Sequence, residues 1–393
     1  MAWHRCRQKN ALWRSDLKKS YKAALNKKDI TDLKPVKKGF FKAGHLLLLA
    51  MRLLVSWIVF ALCLITQSLH LIPTWVAELF RFCPFKPGIS KKPFYIIGHR
   101  GAAAHKIENT ISSFDFAINT QGANALEMDI SFTKDKQVVL WHDWLPDDLV
   151  ATVRQLGFEP DVKYKPLIPP EEKWYKPTHK LTLQEIREQF GYSRKKKSTK
   201  EEAYIPSLDE VFDWAVQQAS LEMVILDIKT PEKYKSQLAG MLDYIQNCIE
   251  KYKPTFKIIL MSPEKSIVKE MKKLAPQFNY TYDIELPVFL VLDPQEFSAV
   301  DKAVNLGDRF ASVGRPTAQL GPWTTLRRLL QYDVFQKTKY AGTDKEIEDL
   351  ITWTINRKRE MRCLLRMGIN GIITDRPERL KKVCDKLLKK QDL

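Results

Sequence analysis

Short β-rich runs alternate with helical patterns from residue 94 onward, and that alternation leaves few architectures open. The strand-like runs are FYIIG at 94–98, ALEMDI at 125–130, MVILDI at 223–228, FKIIL at 256–260, VFLVL at 288–292, RFASV at 309–313, ITWTI at 351–355 and GIIT at 371–374. Helical periodicity covers 110–120, 207–219, 232–250, 264–274, 322–335, 357–367 and 377–389. Short buried strands joined through helices belong to parallel sheets covered on both faces. Eight of them predict an α/β fold, a closed (β/α)8 TIM barrel, with an open α/β sheet as the competing arrangement. The run FNYTYDIEL at 278–286 is a substitute for one of the eight, and VVLW at 138–141 adds a strand soon after the second. Residues 144–180 form a polar, Pro-rich excursion with Trp144, Trp174 and Tyr175, which predicts an active-site cover or a disordered surface loop. The run RKKKSTK at 194–200 reads as a solvated turn.

Upstream of the barrel, the chain reads as a membrane attachment. Residues 46–66 predict a transmembrane helix: Leu46–Ile65 is LLLLAMRLLVSWIVFALCLI, with Arg52 its one charge. About twenty residues at 1.5 Å rise cross a hydrocarbon core of roughly 30 Å. Residues 1–45 are a basic tail of thirteen Lys or Arg against Asp16, Asp29 and Asp32, carrying +10 of the chain's +18. The positive-inside rule keeps that tail cytoplasmic and places the catalytic part across the membrane. A re-entrant or surface anchor is the alternative, continued by LIPTWVAELFRF within an interfacial segment and linker at 67–92. The barrel then occupies 93–380, and 381–393 form a basic helical tail suited to a weak peripheral lipid contact. A charge of this size favours anionic partners. The absence of an aromatic–basic array or a DNA-reading motif points to membrane lipids and away from nucleic acid. Six cysteines form no CxxC pair and suggest neither a zinc site nor a disulfide framework.

Chemistry-bearing residues gather at the ends of the expected strands, where barrel enzymes carry their sites. Four clusters stand out: His99–Gly101 followed by Glu108–Thr110, Glu127–Asp129, His142–Asp143 and Asp227–Lys229. Glu127 and Asp129 are two apart on a strand, so both point to one side and converge on a cation. Together with Asp227 they make a hard oxygen site suited to one divalent cation, Mg2+ or Ca2+. Such a metal, with Arg100 and Lys229, neutralises phosphoryl oxygens. His99 and His142 supply imidazoles for proton transfer near neutral pH. Taken singly, each histidine is more often structural, and Asp227 with Lys229 is readable as a core ion pair; their joint appearance at successive strand ends favours catalysis.

In these residues the sequence resembles the glycerophosphodiester phosphodiesterase family. The resemblance runs through HRGAAAHKIENTISSFDFAI at 99–118, GANALEMDISFTKDKQVVLWHD at 122–143, IPSLDEVF at 205–212, LDIK at 226–229, MS at 261–262, WTIN at 353–356 and GIITDRPERL at 371–380. It implies that His99 and His142 are the acid–base pair, and that Glu127, Asp129 and Asp227 ligate the metal. It further implies that Arg100 and Lys229 contact the phosphate, Glu108 shapes the pocket, Asn109 fixes the first loop and Trp353 is an aromatic wall. The implied reaction is metal-dependent hydrolysis of a glycerophosphodiester to glycerol 3-phosphate and an alcohol. Lysophospholipase D action on a membrane lysophospholipid is the second reading, and a non-catalytic, membrane-tethered lipid-binding protein the third. Two departures stand out: Asp227 where the family usually has glutamate, and WLPDDLVATVRQLGFEP where an Arg-Thr-rich turn usually follows the histidine–aspartate pair.

Overall fold

Residues 94–195, 200–201, 203–285, 294–314 and 323–388 are described by the computed structural model of the protein. In chain order the strands are β1 (Tyr95–His99), β2 (Ala125–Phe132), β3 (Val138–Val139), β4 (Tyr164–Leu167), β5 (Gly191–Arg194), β6 (Lys200–Glu201), β7 (Met223–Ile228), β8 (Lys257–Ser262), β9 (Asn279–Glu285), β10 (Phe310–Gly314), β11 (Asp349–Trp353) and β12 (Gly371–Thr374). Parallel pairing runs β1-β2-β7-β8-β9-β10-β11-β12 and returns to β1, so the sheet closes into an eight-stranded barrel. The competing open sheet is thereby excluded. The fifth barrel strand is β9, inside the 278–286 run; the run at 288–292 lies outside the described residues.

Helices α1 (Ile111–Asp115), α2 (Leu149–Gln155), α3 (Leu183–Gln189), α4 (Leu208–Ala215), α5 (Leu238–Tyr252), α6 (Lys265–Leu274), α7 (Pro294–Phe297), α8 (Ala299–Leu306), α9 (Trp323–Tyr340), α10 (Lys358–Met367) and α11 (Pro377–Leu388) complete the regular elements apart from short 3-10 and π turns. Local signals set several boundaries. Ser207 and Glu210 form a reciprocal capping box at the start of α4, and Thr182 with Glu185 does the same for α3. Gly368 ends α10 in the left-handed conformation.

Side-chain alternation along the strands builds two cores. Ile97, Ala125, Met223, Ile225, Ile259, Ile351 and Ile373 fill the inside of the barrel. Ile96, Leu126, Met128, Val224 and Leu226 belong to the larger cluster shared with the surrounding helices, including Leu364 and Leu380. Inward parity continued to the carboxyl ends of the strands gives His99, Glu127, Asp129, Asp227, Asp283 and Trp353. The aliphatic filling thus gives way to a polar layer at one end of the barrel.

The excursion is ordered, and its fold extends beyond residue 180. It contains α2, and β4 pairs with β5 and β6 in a three-stranded antiparallel sheet. Trp141, Ile168, Leu181, Ile186, Phe190, Tyr192 and Ile205 form a small core beneath it. Arg194 and Lys200 of the basic run belong to that sheet, whereas 196–199 lie outside the described residues. In α11, Leu380, Val383 and Leu387 of the apolar stripe are buried in the main core, whereas Leu388 is 48% exposed. The basic tail, the proposed span at 46–66 and the linker at 67–92 all fall outside the described residues. Among those described, no helix is long and apolar enough to cross a membrane.

Candidate active site

The first site turn follows β1 directly. Arg100 and Gly101 both take positive φ, 51° and 90°, which reverses the chain immediately after His99. A side chain at 101 is excluded, because a Cβ there would stand 2.5 Å from Ser113 Oγ and 2.7 Å from the Ser113 carbonyl carbon. The Arg100 amide donates to Glu127 Oε2 at 3.0 Å, tying this turn to the neighbouring strand. Parallel register does the rest: His99 sits opposite Glu127, and Asp129 opposite Asp227.

Those strand ends open into a cavity of about 350 Å³ lined by His99, Arg100, Glu127, His142, Asp227, Lys229 and Trp353, among others. Both histidines face it, and each is held from behind by a carboxylate. His99 Nδ1 lies 2.6 Å from Asp375 Oδ1, and Asn356 Nδ2 donates to the other oxygen of Asp375 at 2.6 Å. His142 Nδ1 lies 2.6 Å from Asp143 Oδ1, which also accepts from Arg154 Nη1 at 2.7 Å. With Nδ1 occupied, Nε2 is left for chemistry in both rings.

Glu127, Asp129 and Asp227 each place one oxygen within 4.8 Å of the others, and all three are buried. Burial first, and the charge of Asp129 next, push Glu127 up to about 8. Burial also opposes ionisation of Asp129, but Arg100 and Lys229 outweigh it and hold that carboxylate well below its usual range. Lys229 Nζ lies 3.0 Å from Asp129 Oδ1 and 2.5 Å from Asp227 Oδ2, so one ammonium serves two of the three acids. The ion pair anticipated as a structural alternative therefore exists, and it leaves Asp227 Oδ1 without a hydrogen bond. Three clustered carboxylates in a low-dielectric pocket, with Glu127 and Asp227 both pushed toward protonation by burial, fit a hard divalent cation.

Two other expected site residues, Glu108 and Asn109, stand behind the cavity wall. Asn109 donates to Asp129 Oδ2 at 2.9 Å and accepts from the Asp129 amide at 3.1 Å, which ties its loop to β2. Glu108 accepts from Arg100 at 2.9 Å, from Tyr192 at 3.3 Å and from Arg154. Arg100 lines the cavity with part of its surface, yet its guanidinium is committed to Glu108, to Glu159 at 2.8 Å and to Asp129 at 2.8 Å. Trp353 Nε1 donates to Asp283 Oδ1 at 2.5 Å. Its ring covers Gly314, where a Cβ would come within 2.2 Å of the indole.

The two histidines differ electrically. Burial and the Arg100 charge pull His99 down, but Asp375 and Glu127 outweigh them, and its pKa ends above the ordinary value. Burial, and then Arg154, hold His142 well below it, with only partial opposition from Asp129.

The chain's residues 99–379 match the family model described as the glycerophosphoryl diester phosphodiesterase family. The chain belongs to this family. A glycerophosphodiester phosphodiesterase of Caldanaerobacter subterraneus is 26% identical over 288 residues, covering 72% of this chain and 95% of that protein. A lysophospholipase D of Mus musculus is 24% identical over 302 residues, covering 72% of this chain and 84% of that protein. Among solved structures, an Oleispira antarctica phosphodiesterase in complex with the product sn-glycerol-3-phosphate matches at a TM-score of 0.51 and 19% identity, over 74% of this chain and 96% of that one. As a glycerophosphodiester phosphodiesterase-like enzyme, the protein departs from the family pattern where the sequence did. Arg154 reaches Asp143 from α2, within the segment that follows the histidine–aspartate pair.

Sequence reasoning missed Arg154, Glu159, Tyr192, Asp283, Asn356 and Asp375. Asp375 follows the end of β12 directly and Asn356 lies three residues beyond the end of β11, so the strand-end rule that selected His99 also reaches them. Asp283 has the inward parity of β9. Arg154 and Glu159 lie in the excursion, where the apolar spacing of Leu149, Val153 and Leu156 would have turned Arg154 outward.

Proposed function

We propose that this site hydrolyses glycerophosphodiesters to glycerol 3-phosphate and an alcohol. One observation carries the reading: two imidazoles, each held at Nδ1 by a buried carboxylate, face one cavity that Glu127 and Asp227 also line, with Asp129 clustered against those two acids. These three acids would hold a divalent cation, which when bound neutralises charge on the phosphoryl oxygens. Lys229 adds a second positive charge beside the phosphate. Arg100 positions Asp129 and Glu108 through its guanidinium and Glu127 through its amide. His142, kept neutral by burial and Arg154, accepts the proton of the glycerol 2-hydroxyl as that oxygen attacks phosphorus. His99 protonates the departing alcohol oxygen as the P–O bond breaks. Water then opens the resulting cyclic phosphate with the proton roles reversed, giving glycerol 3-phosphate. The product named in the Oleispira structure supports this outcome.

Lysophospholipase D action is the second reading, favoured by apolar side chains at the cavity mouth, Leu145 and Val150, and by the similarity to the mouse lysophospholipase D. The same chemistry applies, because a 1-acyl lysophospholipid also carries a free glycerol 2-hydroxyl. Choline release from glycerophosphocholine and from lysophosphatidylcholine by the purified full chain tests both. Activity lost to a chelator and restored by Mg2+ or Ca2+ is expected; full turnover without metal refutes the metal's role. Single-pass membrane attachment with a cytoplasmic N-terminus is part of the proposal, supported by the apolar run at 46–65 and its basic flank. Protease protection of terminal tags tests it, and a cytoplasmic barrel overturns it.

A further inference from the structure

Helix α2 is built inside out. Leu149, Val153 and Leu156 recur at the spacing of a single helix face, which in a helix packed on a core points inward. Here Ala151 and Arg154 point inward, while Leu149 is 79% exposed and Leu156 is 62% exposed. Val150 at 52% and Phe158 at 67% extend the same apolar surface. Four of the ten exposed large hydrophobic side chains among the described residues therefore fall between 149 and 158, so this is a patch and not scatter.

The exposure is imposed by the site. Turning α2 to bury Leu149 would withdraw Arg154 from Asp143, Glu108 and Glu159, three buried carboxylates. The patch is also continuous with the cavity, because Val150 and Leu145 line its mouth. At the far end, Gly157 sits between Leu156 and Phe158 with the stems of Lys165 and Lys195 beside it. Lys163 and Arg194 add exposed positive charge on the same small sheet and its approach. At the Phe158 end, exposed apolar side chains bordered by basic groups match hydrocarbon lying beneath anionic headgroups, while the exposed Asp147 and Asp148 flank the Leu149 end beside the cavity.

We propose that the α2 face, from Leu149 to Phe158, docks on a phospholipid bilayer and brings a lipid-borne phosphodiester to the cavity mouth. This rests on the lysophospholipase D reading, and it places substrate capture on the barrel itself, separate from any anchor at the N-terminus. The test compares the full chain with its Leu156→Asp/Phe158→Asp variant in phosphatidylcholine vesicles, with and without phosphatidylserine. Turnover of vesicle-borne lysophosphatidylcholine is expected to fall about tenfold, while turnover of soluble glycerophosphocholine is unchanged. Unchanged turnover on vesicles refutes the docking surface. Equal loss on both substrates also refutes it, by assigning the patch to the stability of α2. A change in oligomeric mass without the selective loss makes the patch a protein contact and overturns the proposal. An environment-sensitive dye on Phe158→Cys, read as a difference from the labelled unsubstituted protein, separates this inference from the activity on which it rests. Blue-shifted emission on vesicles supports docking even if neither substrate is turned over, and emission typical of water refutes docking even if both are.

Discussion

Replacing Arg154 with methionine keeps most of the side-chain volume and deletes one buried charge. The guanidinium is 3% exposed and donates to Asp143 at 2.7 Å, to Glu159 at 3.2 Å and to Glu108. Without it, Glu108 and Glu159 share Arg100, and Asp143 keeps only His142. Removing one partner of a buried ion pair costs about 3–5 kcal/mol. For the roughly 300 residues from 94 onward, an unfolding entropy near 2.1 cal/mol/K per residue converts each kcal/mol into about 1.6 °C. Thermal unfolding should therefore shift down by about 5–8 °C. The variant should also change the pH profile. Burial is the larger cause of the low pKa of His142, but the Arg154 charge adds to it. Deleting that charge raises the pKa, so the acidic limb of kcat/KM moves to higher pH. Adding Glu159→Gln to the variant removes one stranded carboxylate and should recover part of the lost stability, a coupling above about 1 kcal/mol. A melting temperature within about 1 °C of wild type, with an unmoved acidic limb, refutes the assignment of Arg154 as a buried positioning residue.

Substituting alanine for His99 or His142 should lower kcat about 100- to 10,000-fold with little change in substrate affinity, measured by single-turnover kinetics; a loss confined to KM contradicts proton transfer. Asp227→Asn should weaken Mg2+ or Ca2+ binding in calorimetry, with Glu127→Gln doing the same, and unaltered affinity in both removes the metal site. Trp353→Phe deletes the donor to Asp283 and should raise KM more than it lowers kcat, whereas equal effects argue for a packing role. Asp333 is pushed up to about 6 by burial, against opposing hydrogen bonds from Ser298 and the backbone of α8, while an unfolded aspartate ionises near 3.8. The folded state thus holds a proton that the unfolded state has released, and this group's contribution to stability falls as pH rises from about 4 to 6 and levels off above. Asp333→Asn should remove that decline, so urea midpoints of variant and wild type should differ more favourably for the variant at pH 7 than at pH 4.

Much of the barrel and its polar end was readable because two periodicities carry physical meaning. A strand turns alternate residues to opposite faces, so Glu127 and Asp129 had to share a side, and so did Asp227 and Lys229. Parallel register then brought Asp129 opposite Asp227, a pairing that spacing along the chain does not specify. The run at 288–292 competed with β9 because an apolar stretch without punctuation has no preferred partner, whereas 278–286 alternates. The excursion resisted reading for a physical reason. In α2 the inward face holds Ala151 and the charged Arg154 while Leu149 and Leu156 face outward, the reverse of the pattern by which amphipathic helices are assigned a facing. Arg100 illustrates the same limit: its position beside His99 was legible, but its three carboxylate partners come from residues as distant as Glu159.

The alternation in β2 has a consequence for how this enzyme tolerates change. Deleting one residue early in that strand would exchange Glu127 and Asp129 for Met128 and Ile130, and inserting one would exchange them for Leu126 and Met128; either drives two acids into the aliphatic layer under the helices and two hydrophobes into the cavity. Chain length in this segment is thus constrained twice over, and a frame error there would abolish the enzyme's folding and its chemistry in a single event.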